Sequence, residues 1–389
     1  MINTTKRVTL TAMSALALIG SGAHAQSDTV KIGVILPMTG QQASTGRQID
    51  AAIKLWVAQN GNKAGGKKVE VIIKDDGSLP DATRRLAQEL VVNDKVVALA
   101  GFGITPSAMA AAPIATQSKT PLVVMAAATS SITEASPYVV RTSFTLPQVS
   151  VGLAEWASAN KIKKVVSLVA DYGPGYDAEK FFAERILFNG GQVIEKLRTP
   201  LRAPDFAPVL QKVRDANPDA LFVFLPSGQG AAFMKQFGER GLDKAGIRLI
   251  ATGDVTDDDQ LNDMGDVAIG VVSSHHYSAA HPSPANKKFV EAFQAANKFR
   301  PNFMAVGGYD GMRLIYKGLD TTKGAGGDAL VTAMKGQLFE SPRGQVLIDA
   351  QTRNIIQDVY IRKVEKKDGQ LWNIEFDTIK SVKDPGKNR

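Results

Sequence analysis

The chain has 389 residues, of which 44% are hydrophobic, with 46 Lys and Arg against 38 Asp and Glu and no cysteine. This length predicts two domains, each with its own core, and the missing cysteine excludes disulfides and a lipid-modified N-terminal Cys. The formal charge of +8 is dispersed, with only short pairs such as Lys67-Lys68 and Lys366-Lys367; without aromatic interleaving it reads as solvated surface and argues against a nucleic-acid partner.

Residues 1–25 read as a secretory signal peptide. Lys6 and Arg7 form a basic start, an apolar run follows to about Gly20, and Ala23-His24-Ala25 gives a small-x-small site with cleavage expected before Gln26. Its removal takes two basic and no acidic residues, leaving a formal charge of +6. The apolar run is too short for a membrane anchor, so a free periplasmic protein is expected.

The mature chain alternates strand and helix patterns. Residues 29–36 (TVKIGVIL) read as a strand, 44–60 as an amphipathic helix stopped by Asn60-Gly61, 69–74 as a strand and 81–93 as a helix behind Pro80. Residues 96–100 and 122–125 are short apolar runs suited to strands buried on both faces. Each opens into a loop of small and hydroxyl residues, Gly101-Phe102-Gly103-Ile104-Thr105-Pro106-Ser107 and Ala126-Ala127-Ala128-Thr129-Ser130-Ser131. In an open α/β sheet that edge binds ligands, and a helix begun by Pro106 aims its positive end there, which suits a small carboxylate. Residues 138–142 continue the sheet.

From Pro147 the pattern restarts: helices at 148–160, 177–188, 206–216 and 229–241 alternate with strands at 165–170, 192–197, 220–225 and 247–251. A strand at 270–277 precedes helices at 284–299, 303–319 and 328–335, and residues 344–379 carry period-2 alternation around Asp368-Gly369, a hairpin signature. The expected fold is α/β, two Rossmann-like doubly wound lobes. With no flexible linker, the chain is expected to pass between lobes through ordered segments that can hinge.

Enzyme signatures are broken or missing. Gly101 and Gly103 begin a G-x-G-x-x-G whose third glycine position is Pro106, and no phosphate-binding G-x-x-x-x-G-K-[ST] or G-x-S-x-G occurs. No cofactor is expected. His275, His276 and His281 are the mature histidines, and neighbours on a strand point to opposite faces, so no metal site is expected. The acidic run Asp257-Asp258-Asp259 lacks the glycine and terminal glutamate of a calcium loop.

The segments KIGVILPMTGQQASTGRQIDAAI, DDGSLPDATRRLAQELV, GFGITPSA, AAATSSIT and VADYGPGYDAE, in this order, resemble the leucine/isoleucine/valine-binding-protein family. These are periplasmic receptors of ABC importers. The resemblance covers essentially the whole mature chain and implies the type I periplasmic-binding-protein fold with a three-crossover hinge. The lobes would comprise residues 26–144 with 276–342 and residues 145–275 with 343–389. It implies a monomeric, non-catalytic receptor that passes its ligand to a membrane permease. The GFGITPSA form resembles the receptors for aromatic carboxylic acids.

Carried over by position, Ile104-Thr105 and Ala127-Ala128-Thr129 would bind the ligand carboxylate through hydroxyl and backbone N–H, and Tyr172 would cover the ligand from the second lobe. Thr45 and Ser227 fall where amino-acid receptors carry aromatic residues, and Asp254 lies one residue from the acid that pairs with an ammonium group. Those departures favour an aromatic acid over a branched-chain amino acid. Phe303 reads as a cavity wall or a core residue at a helix start. A ligand-sensing module for a membrane kinase would share fold and compartment.

Overall fold

The structure, a computed structural model, describes Met1 and residues 28–387. The expected signal peptide lies, Met1 apart, outside the described residues. Two α/β lobes face each other across a cleft. In the first, β1 (Thr29–Leu36), α1 (Ala43–Asn60), β2 (Lys63–Ala64), β3 (Lys67–Asp75), α2 (Pro80–Val92), β4 (Ala98–Gly101), α3 (Thr105–Ser118), β5 (Leu122–Val124) and β6 (Val139–Arg141) build a sheet in the order β2-β3-β1-β4-β5-β6. All its pairings are parallel except the short β2–β3 pair. Fully buried Ile32, Val34, Leu99, Val123 and Val124 explain why these strands read as unbroken apolar runs.

The second lobe contains α4 (Leu146–Ala159), β7 (Lys164–Ala170), α5 (Gly173–Phe188), β8 (Gln192–Thr199), α6 (Ala207–Ala216), β9 (Ala220–Phe224), α7 (Gly230–Glu239), β10 (Arg248–Thr252) and β11 (Val272–His275). The chain then forms α8 (Pro284–Asn297), α9 (Phe303–Thr322) and α10 (Gly327–Met334), of which α8 and α9 pack on α1 of the first lobe. It returns as β12 (Leu338–Ser341), β13 (Gly344–Ile348), β14 (Ile355–Lys367) and β15 (Gln370–Val382).

The second sheet runs β12-β13-β14-β11-β10-β9-β7-β8, with β15 on β14. It is therefore not a copy of the first: β8, β7, β9, β10 and β11 are parallel, whereas β14 joins β11 antiparallel and brings its own hairpin partners. The hairpin expected around Asp368-Gly369 is present, and its two 13-residue strands are longer than the alternation suggested. β12 pairs with β13 and so sits on this sheet.

Three connections between the lobes pack together. Arg343 on the last connection donates to the carbonyls of Thr142 and Ser143 on the first, and it forms a fully buried pair with Asp310 of α9 at 2.7 Å. Phe144 on the first connection contacts the rings of His275 and His276 on the second, each at 4.7 Å. The two imidazoles lie 4.5 Å apart instead of pointing away from each other. The extended alternation lapses because β11 ends at His275. No group of three or more potential metal ligands occurs among the described residues.

Candidate functional site

The C-terminal ends of the two sheets meet across the cleft and enclose a small cavity. From the first lobe the walls are Gln42, Gly103, Ile104, Thr105, Ala126, Ala127 and Ala128, with Met304 at the start of α9. Phe144 and Leu146 come from the first connection, and Tyr172, Pro174, Phe224, Pro226, Ser227 and Asp254 from the second lobe.

The first-lobe end follows from local backbone chemistry. Gly101 closes β4 at φ +105°, and a Cβ there would stand 2.3 Å from the Ile35 carbonyl oxygen, so only glycine lets the strand turn so tightly into α3. α3 then opens at Thr105-Pro106 with its positive end at the cavity. Thr105 Oγ1 and Thr129 Oγ1 share a 2.8 Å hydrogen bond that ties the loops after β4 and β5 together. Arg141, fully buried, braces the same loop by donating to the Thr129 carbonyl at 2.6 Å and to the Phe144 carbonyl at 2.9 Å. Burial lowers its pKa only to about 10, so it stays cationic at neutral pH.

The second-lobe end is different in character. Tyr172 caps α5 in an extended conformation, with its ring 6.1 Å from that of Phe224 and nearly parallel to it. Asp254, 4% exposed, lies beyond β10, and its Oδ2 has no partner within the protein. Burial pushes its carboxyl up to about 7, and burial together with the Asp254 charge raises the Tyr172 phenol. Asp257 is likewise pushed up to about 7 by burial and by neighbouring Asp259, while Asn302 Nδ2 donates to both its oxygens at 2.9 and 3.0 Å. No Lys or Arg is among the lining residues. The cavity is thus an apolar slot with neutral donors at one end and one buried carboxyl at the other.

A family model described as periplasmic binding protein matches residues 29–370. The chain belongs to the periplasmic binding protein family. A solute-binding protein of an ABC transporter from Rhodopseudomonas palustris BisB5, solved in complex with 3,4-dihydroxy benzoic acid, is 61% identical with a TM-score of 0.92, covering 93% of this chain and all of that one. Another from R. palustris, in complex with 4-hydroxybenzoate, is 44% identical with a TM-score of 0.90, covering 92% and 99%. A Leu/Ile/Val-binding protein homolog 6 of Brucella abortus is 45% identical over 98% of this chain and 99% of its own length. The chain is accordingly a periplasmic solute-binding protein of the ABC-transporter class.

Within this periplasmic binding protein the cavity brings together Ile104, Thr105, Ala127, Ala128, Tyr172, Ser227 and Asp254. Thr45, Thr129 and Phe303 sit one layer out: Thr45 beside Gly103, Thr129 bonded to Thr105, and Phe303 edge-on to Phe144 at 5.8 Å. The expectation that the Ala127 amide serves a carboxylate is corrected, because that N–H already donates to the Phe102 carbonyl at 3.0 Å. Sequence reasoning missed Gln42, Phe144, Leu146, Phe224, Pro226 and Met304. For Phe224 and Pro226 a signal existed, since Phe224 ends a buried strand and Pro226 follows it at the edge where ligands bind.

Proposed function

We propose that this receptor closes on an aromatic carboxylate carrying a para-hydroxyl and delivers it to an inner-membrane ABC permease. The observation that carries the reading is the pairing, in one closed slot, of a neutral donor end with a buried carboxyl whose Oδ2 is unpartnered. A ligand carboxylate fits the first end, where the Thr105 hydroxyl, the first-turn amide of α3 and the amide of Ala128 supply hydrogen bonds and the helix end supplies favourable potential. Tyr172 and Phe224 offer aromatic surface from the second lobe to a flat ring. At the far end a phenolic O–H donates to Asp254, satisfying an acceptor that is costly to leave bare.

A secreted monomer suits this role, with its two lobes rocking about the three connections. The solved relatives bound to hydroxylated benzoates support the ligand class. The Brucella relative named for Leu, Ile and Val keeps the amino-acid reading as the competing outcome. Calorimetric titration of ligand-free protein with 4-hydroxybenzoate, benzoate, leucine and valine decides between them. Saturation with the preferred acid at one hundred times Kd adds about 2.7 kcal/mol of stability. Tight leucine binding with no response to either benzoate overturns the proposal.

A further inference from the structure

Asp254 is not alone at its end of the slot. Ser227 also lines the cavity, is 2% exposed, and has the Asp257 carboxyl as a neighbour without a close hydrogen bond. The two residues are brought together by the sheet. β9 and β10 are adjacent and parallel, with Val223 beside Ala251, and Ser227 and Asp254 follow on the loops that leave their C-terminal ends. Neighbouring strands lie about 4.8 Å apart, and both buried polar groups line the slot from the loops that follow these two strands.

Their chemistry is complementary. A carboxyl at Asp254 accepts one ring hydroxyl. A serine hydroxyl donates one hydrogen bond and accepts others, and the Asp257 carboxyl, fixed by Asn302, is near enough to Ser227 to draw that proton. Ser227 then offers its lone pairs to a donor in the slot. A ligand with one para-hydroxyl satisfies Asp254 and leaves the Ser227 lone pairs without a donor, and a branched-chain amino acid has no group for them.

We propose that Ser227 is the specificity-determining residue for a second ring hydroxyl, meta to the carboxylate, so that the receptor prefers vicinally dihydroxylated aromatic acids over the para-monohydroxylated ones. The inference rests on the aromatic-carboxylate reading above and adds to it the residue that discriminates within the class. It also accounts for serine where an aromatic side chain would fill the space the second hydroxyl needs.

The test is calorimetric titration of wild type, Ser227→Ala and Gln42→Leu with 4-hydroxybenzoate and 3,4-dihydroxybenzoate. Wild type is expected to bind the dihydroxylated acid about tenfold more tightly, and Ser227→Ala to lose about that factor for it while changing by less than about twofold for 4-hydroxybenzoate. Retained 4-hydroxybenzoate binding shows that the variant is folded and closes. Equal losses for both acids, no loss for either, or a preference carried by Gln42 instead overturns the assignment of Ser227 and leaves the aromatic-carboxylate reading standing. Failure of wild type to bind either acid overturns both.

Discussion

Asp259 of the second lobe accepts Arg47 of α1 across the cleft at 2.7 Å, and the same Oδ2 accepts the Ser44 hydroxyl at 2.6 Å. The carboxylate is buried, whereas Arg47 is 54% exposed and lies over the Phe299 ring at 4.5 Å. Neither residue lines the cavity, so the contact acts on closure and not on the ligand. A contact present only when the lobes meet biases the closed state, and every ligand that requires closure draws on it.

Asp259→Ala should therefore weaken all ligands by a similar factor. A pair of charge-assisted bonds, discounted for the exposure of Arg47, corresponds to about a tenfold rise in Kd, expressed mainly in the dissociation rate. Stopped-flow dissociation of two chemically different ligands measures it. A change confined to one of them would show that Asp259 acts through the site and not through closure.

Gly173 provides the opposite perturbation. It opens α5 beside Tyr172, and a Cβ there would stand 2.9 Å from Thr129 Oγ1 of the other lobe. Gly173→Ala and Gly173→Val should wedge the closed cleft in graded fashion, raising Kd several-fold and then by about a hundredfold, the cost of overpacking a well-fitted contact. Ligand-free melting temperatures should barely move, because the clash exists only on closure. A ligand-free protein as destabilised as the complex would refute this.

Tyr172 should contribute through its face. Tyr172→Phe keeps the ring and should cost less than about threefold in affinity, while Tyr172→Ala removes the stacking surface and should cost about tenfold or more. Calorimetry with benzoate, which lacks the para-hydroxyl, isolates the ring contribution. Equal losses in both variants would mean that the phenol O–H is what matters.

The first lobe was legible because parallel strands buried on both faces advertise themselves as short apolar runs, and because Gly101 and Pro106 mark a turn and a helix start by chemistry alone. The second sheet was half legible. Its parallel strands were located, but β12 and β13 carry weak alternation, and the joining of β14 to β11 is a long-range pairing that no local pattern encodes. The same division holds at the site. Thr105, Tyr172 and Asp254 announce themselves by type and loop context, whereas Phe144, Leu146 and Met304 read as core and become walls only because the connections between lobes pass the cavity. Thr129 was placed in the right loop, yet its hydroxyl is bonded to Thr105, a fact of tertiary geometry.

The buried Asp254 carboxyl makes both stability and binding depend on pH, with signs that can be worked out. Its pKa rises from 3.8 to about 7 on folding because burial penalises the charged form; Thr252 and Arg362 oppose the rise, and Asp257 reinforces it. Between these values the folded protein holds a proton that the unfolded chain has lost, so this group's contribution to stability falls as pH rises through that window and is level above it. Asp254→Asn removes the fall. The histidine pair works in the other direction: burial holds His275 and His276 well below their ordinary value, so stability falls as pH drops below about 6.5. The histidines are common to both proteins and cancel in the comparison. The melting temperature of Asp254→Asn minus that of wild type should rise from pH 4 to about pH 7 and level off above it, and a flat difference would sink the argument. Binding should show paired signs in the wild type. Benzoate buries the carboxyl without offering it a donor, favours its protonated form, and should bind more weakly as pH rises through 7. 4-Hydroxybenzoate donates to the carboxylate, favours the ionised form, and should hold or gain affinity over the same range. Calorimetric titrations of both acids at pH 6 and pH 8 read the two slopes, and slopes of the same sign would place the ring hydroxyl away from Asp254.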